Sequence, residues 1–351
     1  MLQQRKKDMF VEKIPQSPMG KYAHIIVIRE TQSFPLFQTD GGLNIVRVRA
    51  GLTHKEIITR LVMFKRKQSS PERLVGRELL RRYGLTKPEE CDYNQKSCKK
   101  CPDCIFYGFA VDKNDDKGGE KSEGGSEKSK VFIDSAYSIT GYDESHHEFS
   151  FNALFEEGKM ARHGETRPSF GEQDHVLPQV FFPSVITVKD ATEAEFIYIL
   201  NNILRTKSYG AQTTRTGKVE NHVVGLVFAD GEIFSNLKLT QAITDSLLIG
   251  KDKLEPPLHY EEVLHATQTV ISELLKEDGV VYSLYSQEQL QKIMDEVKAI
   301  TTDETALHAV LQQASKETIE YYSTYIQKAT KPKKGKTGSA AKKQSEQSSL
   351  M

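Results

Sequence analysis

Four cysteines fall within the stretch CDYNQKSCKKCPDC, at Cys91, Cys98, Cys101 and Cys104, and the chain has no others. A disulfide framework spreads its cysteines along a secreted chain. Thiols packed this closely read instead as a metal site. The C-x2-C-x2-C core sets three thiolates around one ion, and Cys91 completes a tetrahedron. Zinc is the first expectation, and an iron–sulfur cluster is the alternative. Four thiolates leave no open coordination position, so such a site braces the chain and performs no catalysis.

The second chemical feature is SYGAQTTRTGKVENHVVG, Ser208 to Gly225. Its glycines free backbone N–H groups to turn outward. Ser208, Gln212, Thr213 and Thr214 can donate hydrogen bonds, and Arg215 and Lys218 supply charge. A phosphate-binding P-loop is excluded. Six residues separate Gly210 from Gly217, Val219 stands where a metal-binding hydroxyl belongs, and the loop follows a helix pattern instead of preceding one. Two readings stay open: a surface that holds an extended polyanion by its backbone, or a glycine-permitted turn. No HExxH, GxSxG or GxGxxG-after-strand pattern occurs. The histidines lack ligand spacing except His146–His147, which fall in an expected turn.

Lys+Arg and Asp+Glu balance at 48 each, so net charge points to no partner class. Distribution says more. Lys55 to Arg82 holds nine cations against three acids, and the tail after Thr330 holds six lysines and one glutamate. Such segregation builds a local positive field on a neutral chain. No segment approaches the apolar length of a membrane span. The N-terminus lacks the apolar core of a secretory signal, so a cytoplasmic protein without a membrane partner is expected.

The elements that must position these residues follow from periodicity. KYAHIIVIRETQSF, VFIDSAYSITGY, HEFSFNALF, VFFPSVITV and HVVGLVFADG read as strands. THKEIITRLVMFKRKQ reads as a helix. PERLVGRELLRRYG reads as another, with Pro71 at its start and Gly84 past its end. Asp112 to Lys130 has no apolar residue and reads as a solvated linker from which the cysteine module projects. ATEAEFIYILNNILRTK is an amphipathic helix, and the chain after Pro257 is helical in pattern. This order gives an α+β fold.

Strand, insertion, FSFNALF, a polar glycine-containing hairpin, LPQVFFPSVITV, an amphipathic helix and SYGAQTTRTGKVE before a strand follow one another here. This ordered set resembles the backbone subunit of CRISPR Cascade complexes, in the repeat-associated RNA-binding superfamily. The cysteine insertion and helical C-terminus are most like the type I-D subunit. The resemblance implies a modified RRM-like, ferredoxin-like antiparallel core from 20–54 with 131–245. It implies an inserted region at 55–130 with the cysteines and a flexible linker at 112–130. It also implies a thumb hairpin at 152–178, a helical region at 246–328 and a disordered basic tail at 331–351.

By the same resemblance the chain polymerises along CRISPR RNA with copies of itself and other Cascade subunits, and presents the guide to target DNA or RNA. The RNA contacts it implies are Arg47, Arg49, Lys65, Arg66 and Lys67, then Arg162, His163 and Arg167 of the thumb. In the glycine loop they are Ser208, Tyr209, Gln212, Thr213, Thr214, Arg215 and Lys218. Related type III subunits cut target RNA with an aspartate near the first strand. Asp40, in FQTDGGLN, stands in about that place, although Asp-Gly-Gly is also plain turn chemistry. Two alternatives to a non-catalytic scaffold are therefore a metal-dependent nuclease acting through Asp40 and an unrelated zinc-containing DNA-binding protein.

Overall fold

A computed structural model describes residues 9–111, 125–151, 161–162, 165–166 and 171–327. Its centre is strand β1, Tyr22–Thr31, whose sequence YAHIIVIRET is buried at every position after the first. A strand buried on both faces needs layers on both sides, and β1 has them. It pairs antiparallel with β12 (Phe181–Lys189) and β13 (Val219–Ala229). The full five-stranded order is β14-β13-β1-β12-β6, with β6 at Val131–Ile133 and β14 at Tyr282–Leu284.

Alternation along β1 divides the interior. Ala23, Ile25 and Val27 face Leu79 and Leu80 of helix α1 (Lys65–Arg82) and Phe196, Ile199 and Ile203 of α4 (Glu193–Arg205). Ile26 and Ile28 face Leu239 and Ile243 of α5 (Asn236–Leu247) and Val263, Val270 and Ile271 of α6 (Tyr260–Glu277). Helices α7 (Gln287–Thr302) and α8 (Glu304–Tyr321) close the first side through Ile293, Val297, Leu307 and Leu311. Thr192, Ser286 and Asp303 cap α4, α7 and α8 by accepting backbone N–H bonds.

A second sheet, β2-β3-β7, joins Ile45–Arg49, Ile57–Met63 and Ala136–Gly141. Arg60 of β3 is buried and fixes this sheet to α5. It donates to the carbonyls of Ser138, Ile139 and Ala50 and to Thr244 Oγ1. Burial lowers its pKa to about 10. A short helix α3 (Tyr142–Ser145) leads into β8 (His146–Phe151), which pairs with β11 (Gly171–Val176). Between them, β9 (Ala161–Arg162) pairs with β10 (Glu165–Thr166).

Several expectations change. THKEIITRLVMFKRKQ is strand β3 followed by the start of α1, because β-branched Ile57, Ile58 and Thr59 pair with β2. Helix α1 then runs through Pro71 instead of starting there. VFIDSAYSITGY is two strands in two sheets, broken at Asp134 and Ser135. His146 and His147 lie in β8, not a turn. Helix α5 was not anticipated. The expected linker at 112–130 lies outside the described residues only to 124. Gly125–Glu127 form strand β5 against β4 (Phe109–Val111), and Tyr321 Oη donates to Glu127.

The cysteine module does not project. Cys91, Cys101, Cys104, Ile105 and Phe106 are buried in the same core as β1 and α4. Apolar Ile105 and Phe106 next to the cysteines supply the burial that pulls the module inward. Phe106→Ala should therefore lower the single thermal transition of the whole chain by about 3–5 kcal/mol. An early, separate transition in calorimetry with the remainder unchanged would contradict this packing.

Candidate nucleic-acid groove and metal centre

The four cysteines converge. Sγ atoms lie 3.9 Å apart for Cys91–Cys101, 3.6 Å for Cys91–Cys104 and 3.9 Å for Cys98–Cys104. All four lie within 4.8 Å of one another, the one such group among the described residues. A tetrahedral ion with metal–sulfur bonds of about 2.3 Å spaces its sulfurs at about 3.8 Å. The donor set therefore fits a metal ion. Helix α2 (Pro102–Tyr107) presents Cys104 and Asp103. Asp103 accepts from Arg73 at 2.8 and 3.0 Å and from Arg77 at 2.6 Å, which bolts α2 to α1. Arg77 also donates to Cys91 Sγ at 3.3 Å, and the Cys98 amide does so at 3.4 Å. Such donors offset the charge that four thiolates bring.

The glycine loop is a braced ribbon. Gly210 and Gly217 hold φ of +89° and +90°. A Cβ at Gly210 would stand 2.6 Å from the Leu36 carbonyl oxygen, and one at Gly217 2.2 Å from that of Tyr209. The glycines are there because backbone passes against backbone. Tyr209 N–H donates to Gly217 O at 2.8 Å, Ala211 N–H to Leu36 O at 3.0 Å, and Lys218 N–H to Ser33 Oγ at 2.8 Å. The loop is thereby tied to the chain that follows β1.

Its root is locked from below. Arg29 of β1 donates to Glu72 Oε1 of α1 at 2.7 Å, to Asn221 Oδ1 of β13 at 2.7 Å and to Tyr209 Oη at 3.1 Å. Tyr209 donates to Glu72 at 3.1 Å, and Asn221 Nδ2 to the carbonyls of Ile203 and Thr206. Arg29 and Glu72 are fully buried. Burial pushes the Glu72 carboxyl up, and the adjacent guanidinium pulls it back down.

Above this network, α1 and the loop face each other across a groove of about 550 Å³. Its cations are Arg66, Lys67, Arg205, Lys207 and Lys218; Lys207 is paired with Glu220, which lies outside the lining. Leu74 and Val75 give it an apolar wall. The first turn of α1 carries no acid and its N-cap makes no side-chain bond. Cations at a helix N-terminus oppose the macrodipole, so this turn favours an anion in front of it. Lys67 is lowered from its ordinary pKa by burial and by the Arg66 charge. An anionic backbone entering the groove would relieve that repulsion.

A family model described as Csc2 Crispr matches residues 9–311. The chain belongs to the Csc2 CRISPR family. This is the family that the ordered motifs resemble, the type I-D Cascade backbone subunit. The crystal structure of Thermofilum pendens Csc2 is similar over 90% of this chain and 94% of that one, at 15% identity and a TM-score of 0.56. The two share a fold. A chain of a CRISPR RNA-guided surveillance complex aligns over 74% of this chain and 88% of its own, at 12% identity and a TM-score of 0.45. One of a pre-nicking complex aligns over 85% and 99%, at 12% and 0.47. No curated protein matches.

The groove unites only part of the residue set anticipated for this Csc2 family chain. Arg66, Lys67, Ser208, Thr213 and Lys218 line it. Lys65, Gln212, Thr214 and Arg215 are exposed nearby in sequence but are not in its lining. Tyr209 is fully buried, so it holds the loop and cannot reach RNA. Arg47 and Arg49 are exposed on β2 and lie outside the groove. His163 and Arg167 lie outside the described residues, as does the Arg162 side chain. Asp40 is exposed in a turn where Gly42 N–H donates to its carbonyl at 3.0 Å, and it joins no metal-ligand group among the described residues. Sequence reasoning missed Arg29, Glu72 and Asn221. An arginine in the apolar run IIVIRET was the available signal; Glu72 has partly exposed neighbours and gave none.

Glu72→Gln removes the counter-charge of a buried guanidinium and should cost about 3–5 kcal/mol. Gly217→Ala should cost about 1–3 kcal/mol through backbone strain. The exposed Thr214→Ala should stay within about 0.5 kcal/mol. Denaturant unfolding of the three variants checks this order, and equal losses would contradict it.

Proposed function

We propose that this chain is a guide-RNA-binding backbone subunit of a Cascade complex, with a scaffold role and no catalysis of its own. The observation that carries the reading is the groove. Two segments far apart in sequence, Arg66–Lys67 and Ser208–Lys218, meet around a cleft whose lining residues include five cations. A row of cations with the Ser208 and Thr213 hydroxyls beside it suits a phosphodiester read by its backbone.

The order β13-β1-β12-β6, with α1 and α4 as the connecting helices on one face, supports an RRM-like, ferredoxin-like core from 20–54 with 131–245. In this chain α5 and α6 cover the other sheet face, so RNA is held at the rim and not on the sheet. The β8–β11 arms support a thumb at 152–178 whose root begins at His146. Gln173 of β11 donates to Gln38 at 3.1 Å and accepts from Gln212 at 3.3 Å, setting that root beside the glycine loop. Copies of the chain then polymerise along CRISPR RNA, in the cytoplasm, with other Cascade subunits, and offer the guide to target nucleic acid. A DNA-binding zinc protein is disfavoured, because every residue of α2, the helix beside the cysteines, is buried. No helix among the described residues is long and apolar enough to cross a membrane.

The resident metal in this reading is zinc, held by Cys91, Cys98, Cys101 and Cys104. When bound it supplies structural cross-linking and no reactive position. Elemental analysis should find about one zinc per chain. Iron with visible absorbance would replace zinc by a cluster.

Purified protein should carry RNA. Lys218→Ala and Arg66→Ala should each weaken binding of unrelated RNA sequences to the same extent. Each should also flatten the slope of log K against log salt by about 0.7. A loss that depends on sequence would mean that these residues read bases.

A further inference from the structure

One helix touches both sites. The N-terminal part of α1 brings Arg66, Lys67 and Ser70 to the groove. Glu72 holds Tyr209 and with it the loop that forms the opposite wall. Further along, at four-residue spacing on one face, Arg73 and Arg77 grip Asp103, Arg77 reaches Cys91 Sγ, and Arg81 reaches the Cys91 carbonyl at 3.3 Å. A second link joins the groove end of the helix to the cysteine segment directly. Ser70 Oγ lies 3.0 Å from Tyr93 Oη, and Tyr93 belongs to the segment between Cys91 and Cys98. The Tyr93 ring also lies against the Arg73 and Arg77 guanidinium groups, at 5.2 and 5.8 Å.

Between Cys91 and Cys101 the segment is held mainly by side-chain contacts, among them Arg81 with Asp92 at 3.6 Å and Ser97 Oγ with Cys104 Sγ at 3.1 Å. Asn94 and Lys99 sit at φ of 60° and 61°, a conformation that costs a non-glycine residue energy. Its own backbone bonding is one Asp92–Lys96 bridge with neighbouring turn bonds. The Arg77–Cys91 contact is charge-assisted when the sulfur is a metal-bound thiolate.

We propose that metal loading of the four-cysteine centre positions α1, through Arg77 and the Tyr93–Ser70 contact, and so sets the affinity of the groove for a nucleic-acid backbone. This rests on the groove reading above. The centre is then a coupled site. A metal-free chain keeps its sheets and its α5–α6 layer but loses the hold on Tyr93 and on the arginines. The first turns of α1 gain freedom about the Glu72 anchor, and the Arg66–Lys67 wall is held less closely against the loop. Coupling of this kind is reciprocal, so RNA in the groove tightens the metal by the same factor.

The test uses the full chain, loaded with zinc or stripped by a chelator, and two readouts. Amide exchange is followed at 65–75 and 207–218, with α5 and α6 as internal controls. Binding of a mixed-sequence single-stranded RNA is followed by anisotropy. Stripping should speed exchange in both segments, leave the controls unchanged and weaken RNA about five- to tenfold. Saturating RNA should slow zinc extraction. Tyr93→Phe keeps every cysteine and the ring, so it should keep its zinc and show a smaller ratio between loaded and stripped affinities. Unchanged exchange and affinity on stripping would overturn the proposal. So would a chain that binds no metal, or metal loss that also melts α5 and α6. If neither form binds RNA, the groove reading fails, and exchange at 65–75 still decides the coupling.

Discussion

Arg29 and Glu72 meet at 2.7 Å with neither side chain exposed, and the arrangement of the site depends on that contact. It joins the central strand to α1, and through Tyr209 and Asn221 it also joins β13 and the glycine loop. A buried ion pair is a poor source of net stability, because desolvating two charges consumes most of what their attraction returns. Its use is geometric. Removing either ion leaves the other charge buried without its counter-charge, and Tyr209 and Asn221 add bonds to that pair, so the four elements are held in a single relation. That relation sets Arg66 and Lys67 across from Ser208 and Lys218.

The two faces of the central sheet explain why a groove is needed at all. With α1 and α4 on one side and α5 and α6 on the other, β1 has no solvent-facing surface. Aromatic stacking of bases on the sheet is closed to this chain, and contact with a ligand falls to the rim, where loops and helix ends emerge. Loops at a rim need support that a sheet face does not. Here the support is backbone pressed on backbone at Gly210 and Gly217, and a polar network beneath Tyr209. The cysteine module contributes from the far end of α1 through the Asp103 clasp on Arg73 and Arg77.

Much of this was legible in the sequence, and the failures have physical causes. Long periodic segments such as HIIVIRE and EAEFIYILNNILR announced β1 and α4, because local pattern and burial agree there. The cysteine spacing announced a cluster of four thiols that could hold a metal ion. Ile57 to Met63 was misread as helix because an apolar run of that length suits either structure until its β2 and β7 partners are known. Charge alone did not separate Arg47 from groove-lining Arg66, since both are exposed and only the tertiary placement of α1 beside the glycine loop distinguishes them. Tyr209 stood among the RNA contacts that the resemblance implies; its burial follows from Arg29, some 180 residues away in sequence, which no local pattern carries.

The central claim is that the cleft between α1 and the glycine loop is where nucleic acid lies. Photochemical cross-linking of bound RNA to the whole protein, with the attached peptides identified by mass spectrometry, addresses it directly. The account predicts cross-links concentrated in 65–75 and 205–218, with none in α5 or α6. Cross-links concentrated on α5, α6 or the exposed face of β2, and missing from both groove walls, would contradict it.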